Sequence, residues 1–289
     1  MVSCYLLITT INIQRSIYSF YITTMTQLII LCLFAFLAGF IDSIVGGGGL
    51  IQLPALMVVL PHTAIPLLFG TNKLSSIAGT FTAAIRFSKK VKINYSVAIP
   101  SIVAAFIFSF IGAKTVSIIQ PSVLRFLVLI LLIIVAVYTF IQKDFGSEYI
   151  QKVKGVKQAI YAALIGAMLG FYDGFLGPGT GSFLIFALIG ILGFDFLKAS
   201  AAAKLVNVST NLAAIIYFAA TGNIIYHFAL PMAVCNMLGA NFGAKLAILK
   251  GSAFIRVLFI VVVCLLIIKL AYDIFISDFL LPKSYRIHI

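Results

Sequence analysis

Acidic side chains are scarce in this chain: seven Asp and Glu among 289 residues, against twenty Lys and Arg. Charged residues of either sign make up 9%, where a soluble domain carries about 25%. That shortage excludes an ordinary water-soluble globular domain. Cysteine is also sparse. Cys4, Cys32, Cys235 and Cys264 are scattered and no pair has CxxC spacing, so neither a disulfide framework nor a metal site has support. They read as small buried residues in apolar helices. The three histidines, His62, His227 and His288, share no metal-ligand spacing and lie near segment ends or in the tail. They read as surface residues. No G-x-x-x-x-G-K-[ST] pattern occurs, so no nucleotide site is expected, nor any cofactor.

Apolar residues dominate instead. The chain is 63% hydrophobic with a mean hydropathy of +1.19, and this excess must face lipid or other buried helices. The net charge of +13 does not point to nucleic acid. The bases cluster at the ends of apolar segments, where the positive-inside rule puts them, and no soluble basic domain is left to hold DNA or RNA.

The two halves of the chain repeat each other. Gly39-Phe40-Ile41-Asp42 opens a glycine run, Gly46 to Gly49, and Gly170-Phe171-Tyr172-Asp173 opens a second, Gly177-Pro178-Gly179-Thr180-Gly181. A constant, gapless offset of 131 residues also pairs Lys73-Leu74 with Lys204-Leu205, Pro100 with Pro231, Gly112-Ala113-Lys114 with Gly243-Ala244-Lys245, and Arg125 with Arg256. Internal duplication in a membrane protein is a common design of secondary transporters, with the substrate site where the halves meet.

Each half reads as five apolar segments: 27–45, 48–60, 65–87, 96–116 and 123–141, then 158–176, 181–193, 196–219, 225–247 and 253–276. Most approach the length a bilayer-spanning helix needs. The second of each set is short and follows a glycine run, the mark of discontinuous helices lining a site. The expected organisation is an N-terminal extension (1–24), a first membrane repeat (25–142), a cytoplasmic basic loop (143–157), a second membrane repeat (158–276) and a tail (277–289). The extension reads as weakly structured, translated from an upstream start codon, or as an extra, poor helix.

Charge sets the orientation. Arg86, Lys89, Lys90 and Lys92 mark one loop, Lys143, Lys152, Lys154 and Lys157 a second, and Lys245, Lys250 and Arg256 a third. All three fall on one side, cytoplasmic by the positive-inside rule. The counterpart of the first loop, Ala220-Thr221-Gly222-Asn223, carries no charge. Equivalent loops then lie on opposite sides, so the repeat is expected to be inverted. The first two segments of each half can both cross, for ten spans, or both dip in and return, for six. Mixed solutions give seven to nine.

Asp42, Asp173, Lys73 and Lys204 lie inside apolar stretches, where a charge needs a partner or a wet cavity. Two readings stand side by side. The four form structural Asp–Lys pairs, or the lysines contribute positive charge to an anion site while the carboxylates hold the broken helices or accept a coupling proton. The glycine runs let backbone amides approach a ligand, and a following helix N-terminus adds partial positive charge. Gly47, Gly48, Gly179 and Thr180, with Asn72 and Asn207, offer such donors near the lysines. For Gly166-x-x-x-Gly170 and Gly239-x-x-x-Gly243 tight helix packing is the preferred reading. Tyr95 and Tyr226 read as interfacial anchors.

These features resemble the TauE/SafE family of sulfite exporters, most closely its YfcA-like branch. The likeness is carried by Ala38 to Leu50 (AGFIDSIVGGGGL), Thr71-Asn72-Lys73-Leu74, Gly170 to Pro178 (GFYDGFLGP) and Ala203-Lys204-Leu205-Val206-Asn207, and spans about residues 27–276. The resemblance implies a bacterial inner-membrane permease with seven to nine helices that handles sulfur-containing anions or organic acids. Cys32 and Cys235 lie outside the glycine motifs, so a cysteine-based path is not carried over.

The expectation is an all-α, multi-pass membrane protein of two inverted repeats that moves a small anion, sulfur-containing in this family, by alternating access. Lys73 and Lys204 would be its cationic contacts. Transport is either proton-coupled or downhill, and homo-oligomerisation is left open. The rivals are a membrane-embedded enzyme, for which no catalytic constellation is visible, and a structural protein that never transports.

Overall fold

The computed structural model describes residues 2–116 and 148–275, together with 133, 134, 137, 141 and 146, and their side chains from residue 24 onward except at 266, 269, 270 and 273–275. Among the described residues the chain is all helical: α1 (Val2–Val45), α2 (Gly49–Val59), α3 (Ile65–Lys90), α4 (Tyr95–Thr115), α5 (Gly155–Phe175), α6 (Thr180–Leu192), α7 (Phe196–Ala220) and α8 (Tyr226–Phe275). Of the expected segment at 123–141 only 133, 134, 137 and 141 are described, each of them helical, and the tail lies outside the described residues. Every other expected segment is a helix. The first begins earlier than expected: α1 runs back to Val2, because no glycine or proline precedes Gly39 to stop it.

Helix boundaries follow local chemistry. Pro66 sits in the first turn of α3, and Lys89 and Lys90 in its last, where cations meet the negative end of the helix dipole. Asp195 caps α7, its carboxylate accepting the Lys198 amide at 2.8 Å. The long α8 contains a break at Gly251, with φ 72° and ψ −168°. That backbone is closed to residues with a Cβ, and it separates the two segments expected at 225–247 and 253–276.

Among the described residues four stretches are long and apolar enough to cross a bilayer: Thr24–Val45, Tyr95–Thr115, Phe196–Ala220 and Tyr226–Leu265. At 11 and 13 residues, α2 and α6 rise only about 16 and 20 Å, short of the ~30 Å hydrocarbon layer. Large apolar side chains face outward along α1 (Ile29, Leu33, Leu37), α4 (Ile99, Val103, Ile107) and α8 (Leu230, Val234). Stripes of this kind suit lipid and are a liability in water.

Packing between the halves is reciprocal. Helix α1 lies on α8 as α5 lies on α4, α3 meets α8 as α7 meets α4, and α3 meets α7 directly. Small residues allow the close approaches. Gly166, Gly170 and Gly174 press on Ser101, Ala105 and Ser109, while Gly239 and Gly243 press on Phe36 and Phe40. Residues four apart share one helix face, so each set forms a single contact stripe. The glycine pairs expected to pack helices do so.

Candidate functional site

Helix α1 ends at Val45, and Gly46 and Gly47 turn with φ of 77° and 96° before α2 starts. The second run turns at Gly177 and Gly179, with φ of 85° each, between α5 and α6. These two breaks touch. A Cβ added to Gly181 would sit 2.7 Å from the Gly46 Cα, and one added to Gly49 would sit 3.4 Å from the Pro178 Cα.

The charges flank this crossing and pair between halves; Lys73, Lys204 and Asp173 are buried and Asp42 is partly exposed. Lys73 Nζ donates to Asp173 Oδ2 at 2.7 Å. Lys204 Nζ donates to Asp42 Oδ2 at 3.1 Å and also to the Asp42 carbonyl oxygen. Lys73 is 2% exposed and Lys204 fully buried, so neither snorkels to water. An unpaired charge at such depth is costly. Here each ammonium has its carboxylate, and the two bridges are equivalents under the 131-residue offset seen elsewhere between the halves.

The first break is braced from the opposite half. A helix that stops leaves its last carbonyls without intrahelical donors. Ser182 Oγ donates to the Val45 carbonyl at 3.0 Å and Ser200 Oγ to that of Ile44 at 3.1 Å, and Lys204 takes that of Asp42. On the other side of the break the Asp42 carboxylate accepts the Gly48 amide at 3.1 Å, so Asp42 both holds the start of α2 and pairs with Lys204. The second break is held from within: Tyr172 donates to the Pro178 carbonyl at 2.6 Å and Thr180 to that of Gly177 at 2.7 Å.

The expected site residues therefore gather around one crossing. Gly47, Gly48, Gly179 and Thr180 line the two breaks and are buried. Asn207 presents its amide nitrogen next to Gly181, and Lys73 reaches Gly177. Asn72 and Asn207 are each about 5% exposed, at 5% and 6%, and the side-chain oxygen of each lacks a hydrogen-bond partner. Sequence reasoning did not place Ser182 or Ser200 against α1, nor Gln52 against Asn236, since none of these recurs at the 131 offset that pairs the glycine runs, the aspartates and the lysines. Tyr95 and Tyr226 are exposed at the starts of α4 and α8, and His62 and His227 are exposed. A separate cavity of about 690 Å³ lies between α3, α4 and α7, walled by apolar residues such as Phe81, Val103 and Leu212. Neither buried lysine lines it, and it does not belong to this site.

Broken helices meeting inside an apolar bundle, with charges paired at the breaks, define a multi-pass membrane protein of the transporter class. The chain belongs to the sulfite exporter TauE/SafE family, whose model matches residues 31–270. It is 37% identical to the "Probable membrane transporter protein YfcA" of Escherichia coli K12 over 239 residues, 83% of this chain and 87% of that protein. A Haemophilus influenzae Rd protein, also described as a "Probable membrane transporter protein", is 34% identical over 246 residues, 85% of this chain and 95% of its own length. The Bacillus subtilis protein YdhB, of the same description, is 27% identical over 235 residues, covering 78% and 95%. No solved structure matches the chain. Family and relatives point to a transporter rather than an enzyme.

Proposed function

We propose that this protein is a secondary transporter for a small sulfur-containing anion, working by alternating access between two inversely oriented halves. The observation that carries the proposal is the exchange of charges across the halves, Lys73 with Asp173 and Lys204 with Asp42, at the crossing of two helix breaks. A buried ion pair is no better for stability than good apolar packing, and often worse. One such pair, with a part-buried one at the equivalent place, therefore favours a functional role. An anion arriving at the crossing meets the lysine ammoniums, the amide of Gly47, the amide of Gly48 once it displaces the Asp42 carboxylate bonded there, and the N-terminus of α6 at Gly179 and Thr180. Asn72 and Asn207 complete the ring of polar contacts. As the anion takes over a lysine, the released carboxylate is the group to accept a coupling proton, so anion and proton move together. The family description, which names sulfite, supports the choice of substrate.

Sealed proteoliposomes loaded with radiolabelled sulfite or thiosulfate test this reading. Flux is expected in the wild type and lost in Lys73→Ala and Lys204→Ala. Undiminished flux in a correctly folded double variant removes the lysines from the site and leaves the pairs as structural.

A further inference from the structure

We propose that the groove between α3, α4 and α7 binds one phospholipid with an anionic headgroup, taken from the cytoplasmic leaflet, whose acyl chains cover the seam between the two halves.

The groove has the form an amphiphile needs. At about 690 Å³ it falls within the roughly 300–1,000 Å³ of ligand pockets. Its apolar walls include Phe81, Ile85, Val103, Ile107 and Leu212, all exposed. Val103 and Ile107 belong to the outward stripe of α4, so the groove opens sideways, toward lipid. Among the described residues three polar side chains line it: Ser88, Lys89 and Ser209. Ser209 is spent, its Oγ donating to the Ile102 carbonyl at 2.8 Å. That leaves Ser88 and Lys89, adjacent at the C-terminal end of α3. The groove is therefore apolar along its length and polar at one end.

Its depth matches one leaflet. From Lys89 back to Phe81 is about 12 Å along α3, close to the ~15 Å that a leaflet contributes to the hydrocarbon layer. The basic run from Arg86 to Lys92 marks the cytoplasmic end by the positive-inside rule.

Charge selects the headgroup. Lys89 is exposed and forms no ion pair among the described residues, while Asp42, Asp173 and Asp195 are engaged by other lysines. Lys90 and Lys92, also exposed, stand beside it. Helix α4 starts at Tyr95 without a side-chain cap, so its N-terminus adds partial positive charge near the same end. Basic pockets between membrane helices on the cytoplasmic side suit acidic lipid headgroups.

The membrane setting alone does not require the polar end. At the equivalent positions of the other half Phe81, Ile85, Val103 and Ile107 become Leu212, Ile216, Val234 and Leu238, again apolar and exposed. Ser88 and Lys89 become Ala219 and Ala220. Contact with bulk lipid keeps the walls in both halves, whereas a hydroxyl and an unpaired ammonium are kept in one. Phe81 and Leu212 directly follow Thr80 and Asn211, whose side chains bond across the halves, so a lipid seated here lies over the α3–α7 junction.

Native mass spectrometry of the full chain, purified in detergent doped with phosphatidylglycerol or with phosphatidylcholine of the same acyl chains, counts the lipids retained. Thermal unfolding in the same mixtures gives a second readout. The wild type is expected to retain one phosphatidylglycerol in preference to phosphatidylcholine and to melt higher with it. Lys89→Ala should lower phosphatidylglycerol affinity about fivefold and leave phosphatidylcholine unchanged. Lys250→Ala, which removes an exposed charge at the end of another helix, should keep the preference. Val103→Trp, at an exposed position that fills the groove, should lose the retained lipid without loss of fold. Equal retention of the two lipids by the wild type, a preference that survives Lys89→Ala, or phosphatidylglycerol still held by Val103→Trp overturns the proposal. A wild-type dimer that Val103→Trp dissociates gives the groove to a second copy of the chain and overturns it as well.

Discussion

Asn211 donates its side-chain amide to the Thr80 hydroxyl at 3.3 Å, and the two residues are 131 positions apart, the same spacing that separates the two glycine runs. A residue that bonds its own counterpart sits where the halves meet, here between α3 and α7. The two ion pairs are likewise reciprocal, each lysine taking the aspartate of the other half. The halves are joined by their charges as well as by their apolar faces.

Removing one member of a buried pair leaves the other uncompensated. Lys73→Ala is expected to cost about 3–5 kcal/mol of stability, while the combined Lys73→Met and Asp173→Leu protein should recover most of it. Thermal unfolding of detergent-purified variants measures both. If transport is absent from the stable double variant, the pair serves function and not the fold alone.

The crossing of the breaks is intolerant of side chains. Gly46→Ala should fail to give a monodisperse protein on size-exclusion chromatography, because φ is 77° and the new Cβ would collide with Gly181. Gly155→Ala is the matched control. Its φ is 62° but nothing lies within 4 Å of the added Cβ, so only the backbone cost of about 1 kcal/mol applies.

Ser200→Ala should destabilise by about 1–3 kcal/mol, since it strips the donor from the buried Ile44 carbonyl at the end of α1. Ser200→Thr, which keeps the hydroxyl, should recover part of this. Equal thermal stability of Ser200→Ala and wild type would show that the break does not depend on this brace.

At the start of α7, Asp195 accepts from the Lys198 amide and from Ser252 Oγ, the latter at 3.3 Å. Ser252 in turn accepts the Leu197 amide at 3.2 Å. Asp195→Ala is expected to cost about 1 kcal/mol as a lost cap, and Asp195→Asn much less. A melting-temperature series over these two variants and Ser252→Ala checks the order.

The sequence alone determined the helical class, the membrane setting, the segment positions and the short helices after each glycine run. These are carried by hydropathy, by the lengths of apolar stretches and by breakers such as Gly46-Gly47, all signals that neighbouring residues hold together. It also marked Asp42, Asp173, Lys73 and Lys204, since a charge in an apolar run is conspicuous on its own. Only the tertiary structure decided which lysine meets which aspartate, that Ser182 and Ser200 brace α1, and that Gln52 meets Asn236. The physical reason is separation along the chain. Lys73 and Asp173 are 100 residues apart, Ser200 and Ile44 156, Lys204 and Asp42 162, and Gln52 and Asn236 184. Contacts at that range are set by how helices pack against each other in three dimensions, and nothing in the residues between them records it.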